Sequence, residues 1–279
     1  KFFGVLQRVG RSFMLPIAVL PVAGLLLGIG SSFTNPTTIE TYNLTGLLGD
    51  GTFLHGLLVI MAKVGSVIFD NLALLFAVGV AIGMAKAEKE VAAISSVIAY
   101  LVMNTAIFAL LILSGTVSDS GEVIGDAIEG TIASACGIPT LQTGVFGGII
   151  VGLGTAALHN RFYRTKLPNA LAFFSGKRSV AIVTAVISIV AAVVLLFVWP
   201  IVFGALVAIG NGIVSLGAVG AGVYAFLNRL LIPTGLHHAL TNVFWFDTIG
   251  LGDLSAYWGG LVQGDTMKTG TEITWSVGM

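Results

Sequence analysis

From Ser12 to Ile39 the chain holds no charged residue. Such runs recur: Val64–Ala85 carries only Asp70, while Val91–Leu113, Gly144–Asn160 and Val180–Trp199 carry no charge at all. Crossing the hydrocarbon core of a bilayer takes about 20 mostly apolar residues in α-helix. The runs therefore predict spans over Phe13–Phe33, Val64–Ala85, Val91–Leu113, Gly144–Asn160 and Val180–Trp199, the last being the most hydrophobic. From Pro200 to Asn228 the chain is again uncharged and rich in glycine. That stretch reads as a bent or interfacial helix followed by a sixth span, from about Ala218 through Arg229–Phe246. The first run is too long for a cleavable signal peptide and lacks a small-residue cleavage site followed by soluble sequence.

Composition agrees. Charged residues make up 9% of the chain, against roughly 25% in typical soluble proteins. A hydrophobic share of 56% leaves too little polar surface to cover a globule in water. A net charge of zero argues against a nucleic-acid binder, and the one cysteine, Cys136, excludes a disulfide framework or a Cys-rich metal site. Open β-structure would leave backbone groups unsatisfied in lipid. The predicted fold is an all-α polytopic membrane protein of about six transmembrane helices.

Lysine and arginine placement predicts the orientation. Lys1, Arg8 and Arg11 precede the first span, Lys86 and Lys89 lie between the second and third, and Arg161, Arg164, Lys166, Lys177 and Arg178 fill the connection between the fourth and fifth. This side should be cytoplasmic, with the N-terminus on it. Ser114–Gly137, on the other side, carries Asp119, Glu122, Asp126 and Glu129 with no Lys or Arg, and Lys63 is the one basic residue of the first outer loop. Gly24 with Gly28, Gly79 with Gly83, and Gly144, Gly148 and Gly152 stand at the spacing that lets helix backbones approach closely. Pro16 and Pro21 predict a kinked first span.

Several segments could carry chemistry. Ser175-Gly-Lys-Arg-Ser179 is like the end of a phosphate-binding loop, but the glycine required five residues before Gly176 is Leu171. The basic connection reads either as an ordinary positive-inside loop or as a docking surface for an acidic or phosphorylated partner. In Asn228-Arg-Leu-Leu-Ile-Pro-Thr-Gly-Leu-His-His-Ala-Leu-Thr-Asn242, Pro233 and Gly235 interrupt the helix. Arg229 at membrane depth should face a polar cavity or an interface. Arg229, His237 and Asn242 beside a broken helix suit an uncharged, polyhydroxylated ligand. A metal site is not expected there, because adjacent His237 and His238 point about 100° apart on a helix. Asp70 reads as a helix cap or packing partner rather than a proton carrier. Nothing favours a reactive thiolate at Cys136, and no nucleophile, triad or carboxylate pair is visible.

Phe3-Gly-Val-Leu-Gln-Arg-Val-Gly-Arg-Ser-Phe-Met-Leu-Pro-Ile-Ala-Val-Leu-Pro21 resembles the amino terminus of enzyme IIC of the bacterial phosphoenolpyruvate–sugar phosphotransferase system, glucose/N-acetylglucosamine branch. So do Phe69-Asp-Asn-Leu-Ala-Leu-Leu-Phe-Ala-Val-Gly-Val-Ala81, Thr143-Gly-Val-Phe-Gly-Gly-Ile-Ile150, Phe173-Phe-Ser-Gly-Lys-Arg178 and Arg229-Leu-Leu-Ile-Pro-Thr-Gly-Leu-His-His238. The resemblance runs from Phe2 to about Asp265. It implies a sugar permease of the bacterial cell membrane, working as a homodimer by an elevator-like movement. A phosphocysteine on a IIB domain, recharged by IIA, would phosphorylate the sugar. The chain would then be the membrane subunit of a sugar phosphotransferase, with no catalytic nucleophile and no cofactor of its own.

On that resemblance residues 1–200 form an interface domain of five spans, 201–217 a crossover segment, and 218–279 the start of the sugar-binding domain. Arg229 and His237 match sugar-site residues of the family. His238, Asn242 and Asp265 are further candidates for substrate binding, while Arg161, Arg164, Lys166, Lys177 and Arg178 are candidates for partner docking. The family's Thr-Glu-Pro motif and the IIB cysteine motif are not among these 279 residues. The expectation is therefore a partial chain or partners on separate polypeptides. Leu231-Ile-Pro-Thr-Gly-Leu-His237 looks like N-acetylglucosamine members, whereas Ser114–Ser120 and the His-His pair look like glucose members; the balance leans to glucose. Two other readings stay open: an ion-coupled secondary carrier using Asp70 for the coupling proton, and a non-transporting membrane scaffold.

Overall fold

The apolar runs do fold as helices, although not with all the predicted boundaries. The computed structural model describes residues 7, 8, 10, 12–124, 131–166, 168–216 and 218–231. Its principal helices are α1 (Met14–Thr34), α2 (Phe53–Asp70), α3 (Leu72–Met84), α4 (Lys89–Leu113), α5 (Gly144–Phe162), α6 (Lys177–Ser215) and α7 (Ala218–Leu231). Two short helices, Pro36–Thr41 and Thr45–Leu48, join α1 to α2. Among the described residues, four helices are long and apolar enough to cross a membrane: Pro16–Thr34, Phe53–Asp70, Lys89–Leu113 and Lys177–Ala205. The predominantly helical, polytopic fold therefore stands; four such helices lie among the described residues, and the expected sixth span runs past Leu231, outside them.

The predicted second span is really two helices, and the first outer loop is shorter than expected. The expected span Val64–Ala85 breaks at Asn71, and Phe53–Asp70 starts well before Val64. Asn71 ends α2 because its backbone N–H (3.2 Å) and its side-chain Nδ2 (2.8 Å) both donate to the carbonyl of Val67. A side-chain amide competing for the helix's own carbonyl is the usual way asparagine stops a helix. Lys63, expected in a loop, lies within α2. His55 and Lys63 interrupt the apolar run, but Phe53–Asp70 as a whole is still apolar enough to cross a membrane. At its start, Thr52 caps the helix by accepting from the His55 N–H.

Glycines decide which helices touch. A Cβ at Gly30 would overlap Leu58 and Ala62, one at Gly65 would overlap Ala23 and Leu27, and one at Gly79 or Gly83 would overlap Ser12 or Pro16. These pairs run in opposite directions along the two partners. Broken α2–α3 thus lies antiparallel to α1 over its whole length. Gly148 fits against Ala73 and Gly152 against Ala77 and Val80, which sets α5 parallel to α3. Gly79, Gly83, Gly148 and Gly152 are therefore packing positions. Pro16 sits in the first turn of α1, where no intrahelical donor is lost, and the helix continues through Pro21.

α4 buries Ala92, Ser95, Ser96, Ala99, Tyr100, Met103, Asn104, Ile107 and Leu111, a recurrence every three or four residues that marks one broad helix face. Its Ala99, Tyr100, Met103, Ile107 and Leu111 share the main core with Ala192, Leu195, Trp199 and Phe203 of α6, while Ala92 packs with Ala81 and Ala85. α6 runs unbroken through Pro200 for 39 residues, about 58 Å at 1.5 Å per residue. The expected fifth span and crossover segment are thus one helix, and the expected boundary at Pro200 falls inside it.

The connection between α4 and α5 adds an unexpected hairpin, β1 (Ile132–Ala135) with β2 (Ile138–Leu141), paired antiparallel with Ala135 opposite Ile138. Cys136 (φ 53°) and Gly137 (φ 79°) supply the two left-handed positions that a tight two-residue turn requires. This small sheet does not violate the rule against open strands in lipid. It packs on α4, and the Trp199 Nε1–H donates to the carbonyl of Gln142 just beyond it at 2.9 Å.

Candidate functional site

One end of the bundle gathers the basic residues. Ser12 lies against Gly83, and its hydroxyl donates to the Arg8 carbonyl. The turn between α3 and α4 is tied to the end of α5: Asn160 Nδ2 donates to the Met84 carbonyl at 3.0 Å and its Oδ1 accepts from the Lys86 N–H at 2.8 Å. His159 is fully buried, stacks on Tyr163, and bonds through Nε2 to the Ala87 carbonyl at 2.7 Å. A carbonyl only accepts, so Nε2 carries the proton; Nδ1 has no hydrogen-bond partner among the described residues. Glu88, in a left-handed conformation (φ 49°), pairs with Lys177 at 2.5 Å. The Lys177 ammonium donates to the Glu88 carboxylate and holds its pKa below the usual carboxylate value.

The five candidate docking residues are all exposed at this end, but they are not equally available. Lys177 is paired with Glu88. Arg178 stacks over the Phe173 ring (4.4 Å) and donates to the Phe173 carbonyl, and Arg164 lies over Tyr163 (5.0 Å). Arg161 and Lys166 make no hydrogen bond or ion pair with any described residue.

Of the candidate sugar residues, Arg229 alone is described. It is exposed in the last turn of α7. His237, His238, Asn242 and Asp265 lie outside the described residues.

Sequence reading missed a second polar locus, at the break between α2 and α3. Phe69 approaches Gly24 there, about 18 Å along α1 from Ser12, near the middle of that helix. A cavity of about 290 Å³ opens at the break, bounded by Asp70, Leu72 and Ala73 on one side and by the hairpin and the start of α5 on the other. Asp70 is exposed and makes no hydrogen bond or ion pair with a described residue, so of the two roles read for it, helix cap or packing partner, the capping bond is not seen among the described residues. Asn71 occupies the N-cap position of α3, without a capping bond. Buried Asn104 anchors the hairpin behind the cavity: its Oδ1 accepts from the Thr140 hydroxyl (3.2 Å) and its Nδ2 donates to the Tyr100 carbonyl (2.8 Å). The signal available in the sequence was the polar pair Asp70-Asn71 inside an otherwise apolar run.

Membrane-length helices packed through glycines, with cations collected at one end and a broken helix beside a polar cavity, define a multi-pass membrane domain. The chain belongs to the phosphotransferase system EIIC family, whose model matches residues 10–278. It is 43% identical over 248 residues to the PTS system glucose-specific EIICBA component of Staphylococcus saprophyticus, covering 88% of this chain and 35% of that protein. To the protein of the same description from Staphylococcus carnosus it is 40% identical over 266 residues, covering 95% of this chain and 37% of the relative. The chain thus spans about a third of the length of these curated relatives.

Proposed function

We propose that this chain is the membrane-translocating part of a phosphoenolpyruvate-dependent sugar phosphotransferase, carrying glucose or a closely related hexose to a IIB phosphocysteine. The observation that carries the reading is the family match over nearly the whole chain. The glucose-specific description of both relatives favours glucose over N-acetylglucosamine or glucosamine. Their EIICBA description supports IIB and IIA as partner domains, fused or separate. Arg229, His237, His238, Asn242 and Asp265 are the residues assigned to the sugar. Of the docking candidates, Arg161 and Lys166 are assigned the leading role toward IIB, because the other three cations have partners within the chain. The basic end is assigned to the cytoplasm, with the N-terminus there, and the working unit to a homodimer with the interface and sugar domains divided near Pro200.

The test is uptake into membrane vesicles that contain the chain with its IIB and IIA partners. Labelled glucose should accumulate as sugar phosphate when phosphoenolpyruvate and the soluble phosphocarriers are supplied inside. Uptake of unmodified sugar that an ionophore alone abolishes would overturn this reading in favour of an ion-coupled carrier.

A further inference from the structure

The cavity at the α2–α3 break is lined by Phe69, Asp70 and Leu72 of one motif and by Thr143, Gly144 and Val145 of another, neither of which has a role in the function just proposed. Its lining includes an acceptor-only group, the Asp70 carboxylate, together with groups that can both donate and accept: the Gln142 amide and the Ser134 and Thr143 hydroxyls. None of these four side chains makes a hydrogen bond with a described residue. Thr143 also leaves the first turn of α5 without a side-chain cap, so backbone N–H donors remain there. Asp70 is the last residue of α2 and is exposed, so its carboxylate is open to a polar ligand.

The mixture of groups selects the ligand. An anion would be repelled by Asp70. A hard cation would find one carboxylate, Asp70, with otherwise neutral oxygens from Ser134, Gln142 and Thr143, and no group of three acidic, imidazole or thiol side chains stands together among the described residues. A neutral polyol fits both halves: its hydroxyls donate to the carboxylate and accept from the amide and the α5 N–H groups. The volume, about 290 Å³, is at the small end of ligand pockets, as a monosaccharide requires. We propose that this cavity is a hexose site distinct from the one assigned to Arg229, formed by Asp70, Ser134, Gln142 and Thr143. The ligand class rests on the transport reading above; the location does not.

Cys136, the one cysteine of the chain, supplies the readout, because it lines an adjoining cavity together with Asp70 and Ser134. The chain in lipid nanodiscs is treated with a maleimide at mildly alkaline pH, with and without glucose, and alkylation of Cys136 is timed. Glucose at about ten times its dissociation constant should slow the reaction about tenfold. Protection should persist in Arg229→Ala and disappear in Asp70→Asn and in Gln142→Ala, with melting temperatures close to that of the parent. Absence of protection in the parent chain overturns the proposal, as does protection that is lost in Arg229→Ala while surviving in Asp70→Asn. Protection by sodium or by acidification without sugar also overturns it, in favour of an ion site. Loss of phosphoenolpyruvate-driven uptake with protection intact would instead overturn the transport reading and leave the cavity assignment standing.

Discussion

The hydroxyl of Thr140 donates to the side-chain carbonyl of Asn104, with both residues fully enclosed, and so pins a β-hairpin to the middle of a membrane-length helix. The hairpin forms one wall of the cavity at the α2–α3 break, so this bond sets the shape of that wall.

Thr140→Val keeps the shape but removes the donor, leaving Asn104 Oδ1 enclosed without a partner. Side-chain hydrogen bonds in membrane proteins are worth about 0.6 kcal/mol on average, with larger values for enclosed pairs, so a loss of about 1 kcal/mol is expected. Thermal unfolding of the purified protein in detergent should register it, and Thr140→Ser should restore most of it. Equal melting temperatures for Val and Ser would show that the bond contributes nothing.

Gly148→Ala places a methyl group into the main chain of Ala73, where no flexible side chain can move aside. Overpacking of this kind costs about 1–3 kcal/mol. Gly154→Ala, in the same helix with open space around it, serves as the control and should be close to neutral. The comparison is a pair of melting curves; a neutral Gly148→Ala would contradict the close α3–α5 contact.

Acid should loosen the basic end first. Lys177 lowers the Glu88 pKa in the folded protein, so this carboxylate contributes stability above its unfolded value of 4.5. That contribution is lost as pH falls through the lowered folded value. Glu88→Gln should flatten the part of the stability–pH curve below the ordinary carboxylate range and leave the neutral region nearly unchanged. Melting temperatures measured as a function of pH for the two proteins check this; superimposable acid limbs would remove the pair from consideration.

Arg229 is exposed at the end of α7, so Arg229→Ala should leave the melting temperature unchanged. If the guanidinium holds a sugar hydroxyl, its loss should weaken glucose binding by about 10- to 100-fold, in line with 1–3 kcal/mol for a hydrogen-bonding partner removed from a polar site. Equilibrium binding of labelled glucose measures this directly. Unchanged affinity would take Arg229 out of the sugar site.

Charge depletion alone decided that this chain enters a bilayer, because an apolar surface of this extent has no other stable solvent. The placement of Lys and Arg likewise anticipated which connections meet at one end, and contacts such as Lys86–Asn160 and Glu88–Lys177 bring those connections together. The G-x-x-x-G steps in α3 and α5 were legible for the same reason: a missing side chain is a local fact with a fixed consequence for how near another helix can come. Tertiary structure alone decided the rest. Hydropathy treats Asp70-Asn71 as two polar residues in an apolar run, and cannot tell that Asn71 turns its amide back on Val67 and splits the span. Nor could any local pattern show that Asp70 and the distant pair Gln142-Thr143 line one cavity. Helix formation depends on neighbours three and four residues away, whereas a polar cavity depends on which helices the glycines allow to meet.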